Sequence, residues 1–253
     1  MKSVTNILSW LRGTLPFVLG LVLWQIAGTS ATSQFPPPSA WFAEIARLGQ
    51  SGVLAPAVAA TISILVISLA LATLVGFLLG LLIGTSPKLQ QWSALLLEYT
   101  RAIPPPVLIP VFVLLLGYSD VMKIVVIGFA GLWPVLLNTI SGVSQIRPLT
   151  FDVARSLRLS RGETLMKIVI PATVPSLLLG IRVALPHTII ITLVVEMFTG
   201  AIGIGGLMIS AERAFNAAGV FGLLVLVGCL GFALTVLFAL TERLVLWRWA
   251  VKS

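Results

Sequence analysis

Charge is what this chain has least of. Of its 253 residues only 9% are Asp, Glu, Lys or Arg, and it holds one cysteine, Cys229, and one histidine, His187. A single cysteine excludes an internal disulfide and a cysteine-built metal cluster. No lysine follows a glycine, so the phosphate-binding pattern G-x-x-x-x-G-K-[ST] is absent and the chain has no ATP site of that kind. No metal-ligand spacing, no nucleophile with histidine and acid partners and no paired carboxylates within one apolar stretch are found, so catalysis has no support. Strict apolar–polar alternation is missing as well, which argues against a membrane barrel.

What fills the chain instead is hydrocarbon. Hydrophobic residues make up 58% of it, in runs long enough to cross a bilayer, which takes about 20 residues as helix. Lipid cannot satisfy free backbone donors and acceptors, so unalternating runs of this length must be helical. The expected fold class is all-α, a polytopic membrane protein with six spans near Leu15 to Ser30, Ala59 to Gly84, Leu95 to Gly117, Val121 to Val143, Leu177 to Phe198 and Val220 to Leu240. An early basic and apolar stretch is similar to a signal peptide, but Pro16, Gln25 and the lack of a clear cleavage signal favour an uncleaved first helix.

Six spans put both termini on one side, and the Lys/Arg balance chooses it. With the N-terminus inside, eleven Lys/Arg fall on cytoplasmic segments and only Arg47, Lys123 and Arg213 outside. Both termini are therefore expected in the cytoplasm, and anionic inner-leaflet lipid, not nucleic acid, answers the net charge of +8.

Between the spans the punctuation is specific. In FPPPSAWFAEIARLG, Phe35 to Gly49, three prolines predict extended backbone and Ser39 a cap for a short interfacial helix. Ser68, Ala72, Gly76, Gly80 and Gly84 recur every four residues and predict a close-packing seam. The prolines of RAIPPPVLIP, Arg101 to Pro110, must bend the third span, as a kink beside the pathway or as a packed elbow, while Glu98 and Arg101 neutralise one another. The four glycines at the start of GAIGIGGLMISAERAF, Gly200 to Phe215, read as a tight turn in an outer re-entrant loop.

Charge, so scarce elsewhere, crowds between Asp152 and Lys167. Residues 144–172 form an excursion far longer than an ordinary connection, and long connections are usually functional. Ser160 and Glu163 make an S-x-x-E capping box that predicts a helix from about Arg161 to Pro171. Asp152 to Leu157 predicts another, with Asp152 near its positive end and Ala154 and Leu157 on its apolar side. Two short helices make a cytoplasmic knob suited to docking.

The order Asp152-Val-Ala154, then Arg158, then Ile168-Val-Ile170-Pro171 is similar to the EAA loop of bacterial ABC importer permeases, E-A-A-x3-G-x9-I-x-L-P, with the spacing kept. FPPPS, R-x-I-P-P, V-V-E-M-F with its glycine turn, and T-E-R-L-V-L-W-R-W extend the resemblance along most of the chain, toward the nitrate/sulfonate/taurine branch. The resemblance implies a single permease domain, residues 1–253, with a type I importer (MetI-like) fold in the bacterial inner membrane and a coupling loop at about 144–172. It implies a second permease copy or paralogue, two cytoplasmic ATPases that bind ATP and Mg in place of this chain, and an extracytoplasmic substrate-binding protein. Asp152, Ala154, Arg155, Ser156, Leu157, Arg158, Ser160 and Glu163 would contact the ATPase. The solute would be a small organic or inorganic anion, such as a sulfonate, nitrate or aromatic acid.

Two positions depart from the family pattern. Arg158 stands where the family has glycine, and Pro186 before His187 replaces another. Glycine serves positive φ at little cost and arginine does not, which motivates a degenerate partner in a heterodimer as an alternative. Ionisable groups within spans suggest function by default. His187 reads as a pathway residue or as a packing histidine, Glu196 as a partner of the outer loop or as a pathway residue, and Asn138 as a further pathway candidate. A proton-coupled secondary transporter using Glu196 and His187 is the rival from another class, and it would require inverted repeats that the sequence does not display.

Overall fold

The computed structural model describes residues 15–16, 18–28 and 34–250. Among the described residues every regular element is helical, as the hydropathy requires. In chain order these are α1 (Val18–Ala27), α2 (Pro38–Gln50), α3 (Leu54–Gly84), α4 (Pro87–Arg101), α5 (Leu108–Leu116), α6 (Asp120–Ser144), α7 (Pro148–Ser156), α8 (Arg161–Thr199), α9 (Ile204–Arg213) and α10 (Ala217–Ala250).

Four helices, α3, α6, α8 and α10, are long and apolar enough to cross a membrane. The third expected span is bent at its prolines, as expected: it comprises α4 and α5, joined at a 74° bend, because Pro104 to Pro106 cannot donate to the preceding turn. The first expected span falls partly outside the described residues, whose share of it is α1. Among the described residues four helices, or five if the bent pair is one span, are long and apolar enough to cross, and the expected count of six is not established.

Helix α6 sits between α3 and α8, and small residues let it come close to both. Lipid tails are as apolar as leucine, so such contacts are held by van der Waals packing and not by expulsion of water. The predicted seam is the α3 side: a Cβ on Gly80 would lie 2.6 Å from Thr139 Cβ, and one on Gly84 2.9 Å from Val143 Cβ. The second seam, on the α8 side, uses Gly131 against Thr188 and Gly180 against the Val135 backbone, and no sequence period announces it.

Three apolar clusters stack along this bundle. One joins Ile109 of α5, Met122, Val126 and Ile127 of α6, and Val195 of α8. The second joins Leu65 of α3 to Leu185 and Ile189 of α8, with Leu234 and Phe238 of α10 packed against it. The third joins Leu81, Val143 and Val169 and takes in Phe151 of α7, so the charged knob is rooted in the bundle.

At the opposite end, Trp24, Phe35, Trp41 and Phe221 form an aromatic cluster that ties α1 and α2 to α10, with Trp24 stacked on Phe35 at 4.4 Å between centroids. Helix α2 begins one residue before Ser39, at Pro38, whose fixed φ and missing donor suit the first helical position. Ser39 is therefore not the predicted cap. It exchanges two 3.0 Å hydrogen bonds with Gln25 and staples α1 to α2.

The seam makes a quantitative demand. Gly80→Val should destabilise the purified protein by about 1–3 kcal/mol through overpacking. Gly228→Ala, whose added Cβ would meet nothing within 4 Å, should leave the thermal midpoint unchanged or raise it.

Candidate functional site

Three places carry the candidate residues: the knob, a cavity beside the α4–α5 elbow, and a buried carboxylate at the far end of α8. In the knob, α7 starts at Pro148, four residues before Asp152, again because proline suits the first turn. Asp152 consequently lies within the helix and pairs with Arg155, instead of facing the positive end of the helix. Ser156 Oγ donates to the Asp152 carbonyl at 3.1 Å. Ala154 is buried, whereas Leu157 is 67% exposed, so these two do not share the inward face as expected.

Arg158 has φ +53°, the left-handed conformation that glycine would adopt at no cost. The turn it makes is complete: Leu159 N–H donates to the Ala154 carbonyl at 3.0 Å and Arg158 N–H to the Arg155 carbonyl at 2.9 Å, the two bonds of a Schellman C-cap. Arginine therefore preserves the glycine geometry and bears the steric cost.

The capping box forms as predicted, with Ser160 Oγ accepting from Glu163 N–H and the Glu163 carboxylate accepting from Ser160 N–H at 3.0 Å. In these charged first turns of α8, outside its apolar length, the Lys167 ammonium and then the Ser160 N–H hold the Glu163 carboxyl down to about 2. A depressed carboxyl gives this cap full strength above its ordinary 4.5 and loses it as the pH falls through about 2. The helix does not end at Pro171. A π-helical turn at Leu165–Val169 shifts the pairing so that Ile170 N–H reaches the Leu165 carbonyl, and Pro171 then sits in the first turn of the α-helical run that follows. The second knob helix and the fifth span are one 39-residue rod.

Leu149, Val153 and Leu157, four residues apart, form an exposed apolar stripe along α7, with Met166 exposed on the neighbouring rod. The spacing of four is the one sequence signal for this stripe, in a segment otherwise marked by its charges.

The cavity, about 660 Å³, lies between the elbow, α6 and α8. It brings together His187 and Asn138 with Glu98, Arg101 and Trp133, and Ala102 and Pro105 of the elbow form part of its wall. The bend thus borders a cavity. Arg101 Nε and Nη2 both donate to Glu98 Oε2, at 3.0 and 2.6 Å. His187 Nδ1 lies 2.8 Å from the Val183 carbonyl and Asn138 Nδ2 donates to the Pro134 carbonyl at 2.8 Å. Arg182 is outside both the knob and the cavity wall, its Nη1 3.8 Å from Glu242 of α10.

Glu196 does not reach that cavity. It is 1% exposed, and its Oε2 accepts from Thr61 Oγ at 3.0 Å and from Gly205 N–H at 2.8 Å. Thr61 Oγ in turn accepts from Ile204 N–H at 2.9 Å. The carboxylate therefore sits at the N-terminus of α9, where backbone donors and the helix dipole favour an anion. The glycine turn is built around it: a Cβ on Gly203 would overlap the Glu196 carboxyl, and Gly200, at φ +62°, closes α8. Nine residues of helix separate His187 from Glu196, about 13 Å along the axis, too far for a direct proton relay.

The comparisons agree with this architecture. Residues 72–247 match the model of the binding-protein-dependent transport system inner membrane component, and the chain belongs to that family. It is 27% identical to the bicarbonate transport system permease protein CmpB of Synechococcus elongatus, over all of this chain and 92% of that one. It is 26% identical to the taurine transport system permease protein TauC of Escherichia coli, over 95% of this chain and 90% of that one. A chain of the MetNI methionine ABC transporter, in inward-facing conformations, shares the fold with TM-score 0.67 at 17% identity, over 78% of this chain and 98% of that one. The protein is a permease subunit of an ABC importer, a transport component and not an enzyme.

Two substitutions test these local readings. Arg158→Gly should relieve the left-handed strain by about 0.5–1 kcal/mol net of glycine's greater freedom when unfolded, slowing hydrogen exchange at Leu159 about two- to fivefold. Glu196→Ala should leave the Gly205 N–H buried without a partner, at a cost of about 1–3 kcal/mol, and accelerate exchange across residues 203–207 while leaving the knob amides unchanged.

Proposed function

We propose that this permease imports a small anion by working with a second copy of itself, two cytoplasmic ATPases and an external binding protein. Both termini and the knob face the cytoplasm in this reading, as the Lys/Arg distribution favours. The ATPases bind ATP and Mg, and this chain contributes a docking surface and a path. The bicarbonate relative supports an anionic solute, and the taurine relative one that carries a sulfonate group.

The observation that carries the proposal is the construction of the knob. Its outer side offers the apolar stripe Leu149, Val153 and Leu157 with Arg155 and Arg158 nearby. Its inner side is anchored through Phe151 and Ala154, Phe151 joining the cluster shared by α3, α6 and α8. Force applied to such a knob moves three helices together, since packed cores do not deform continuously. Asp152, Ala154, Arg155, Ser156, Leu157, Arg158, Ser160 and Glu163 act here by touching the ATPase or by holding the shape that does. Arg158 keeps the turn a glycine would make, so two identical copies can each present a complete knob.

The cavity supplies the path, with His187 and Asn138 on its wall, whereas Glu196 acts at its end of α8 as a clamp on α9. The test is uptake into vesicles carrying the permease and its ATPase. ATP with the binding protein should drive uptake, a proton gradient alone should not, and Val153→Asp with Leu157→Asp should abolish uptake while the protein still folds. Gradient-driven uptake, or full uptake by the double variant, would reject the proposal.

A further inference from the structure

The cavity specifies more about its solute than its membership of a transport path does. Its polar groups have part of their hydrogen-bonding capacity already committed, and what is left over can be counted. The Val183 carbonyl can only accept, so His187 Nδ1 carries the proton in that 2.8 Å contact, and in the neutral ring Nε2 remains as an acceptor. The Pro134 carbonyl likewise can only accept, which fixes the Asn138 amide with Nδ2 toward it and leaves Oδ1 as an acceptor and the second Nδ2 hydrogen as a donor. Arg101 spends one N–H at Nε and one at Nη2 on a single oxygen of Glu98, leaving three of its five donors unspent. Glu98 also cancels its charge, which tempers the pull on a bare ion. The remaining wall is apolar except for the Trp133 indole N–H, a buried donor without a partner.

An ion that only accepts hydrogen bonds, such as nitrate, would satisfy Arg101 and the remaining Asn138 N–H but would oppose Asn138 Oδ1 and His187 Nε2. It would also leave water for a mostly apolar wall that returns little of that hydration. An organic anion satisfies all three requirements when its acidic group meets Arg101, its body covers the apolar wall and an N–H donor meets the acceptors. Building on the anion-import reading above, we propose that the cavity selects small organic anions with an apolar or aromatic body carrying an N–H donor, and disfavours bare inorganic oxyanions. Arg101 binds the acidic group, Glu98 competes with it, and Asn138 and His187 recognise the donor.

Glu98 and Arg101 are both exposed, so their substitution leaves the fold intact. The purified permease–ATPase complex is titrated calorimetrically with 4-aminobenzenesulfonate, with 4-toluenesulfonate, which replaces the amine by a methyl group, with nitrate, and with aniline. The amine-bearing sulfonate should bind about tenfold more tightly than the toluene analogue, as a hydrogen bond that would otherwise leave a partner unsatisfied can give, and nitrate should bind most weakly. Asn138→Leu, verified as folded by its thermal midpoint, should erase the preference for the amine. Glu98→Gln should tighten both sulfonates, and Arg101→Gln should weaken both. Nitrate matching 4-toluenesulfonate, or equal affinity of the two sulfonates in the unaltered protein, would overturn the selectivity while leaving anion import standing. Aniline binding as tightly as its sulfonate, with Arg101→Gln indifferent, would overturn the selectivity and the anion reading together.

Discussion

The structure depends on how closely α6 can approach its two neighbours. In lipid no hydrophobic gain pulls helices together, so adhesion comes from atoms in contact, and every missing side chain on the seam brings two backbones nearer. Gly76, Gly80 and Gly84 on α3, Gly131 on α6 and Gly180 on α8 are the positions at which that approach is made. Because both seams share α6, the three helices behave as one body. The apolar clusters then fill what the seams enclose.

That body gives the knob its mechanical meaning. A charged loop on flexible tethers would dissipate whatever grips it, but α7 is rooted by Phe151 among residues of all three packed helices. The π-helical turn is the other half of the device, since it lets the knob's second helix run on into the span past Pro171 without a break. At the far end of the same rod, the Glu196 carboxylate organises the N-terminus of α9. One continuous helix thus links the knob to the Glu196 clamp on α9, with the cavity's His187 between them.

Much of this was legible in the residues. The period of four in α3, the capping box at Ser160 and the prolines after Arg101 each name a local physical event, and each occurs. What the residues do not announce is partly local and partly a matter of distant partners. Pro148 starts α7 four residues ahead of Asp152, and a π turn, which leaves no mark in composition, carries the next helix past Pro171. Hydropathy registers the apolarity of the third span and is blind to the size of its bend, 74°, which the prolines announce only as a bend. The clustering of His187, Asn138, Glu98 and Arg101 depends on three separate elements, and no single stretch of sequence contains it.

The central claim is that the knob and bundle move as a unit. With Cys229 replaced by serine, spin labels at Leu78→Cys on α3 and Leu157→Cys on α7 report the distance between bundle and knob by pulsed electron resonance. The account predicts that this distance within one copy stays constant when ATP binds to the assembled transporter, while the distance between the knobs of the two copies changes. A knob that shifts against its own α3 while the two copies stay fixed would contradict it.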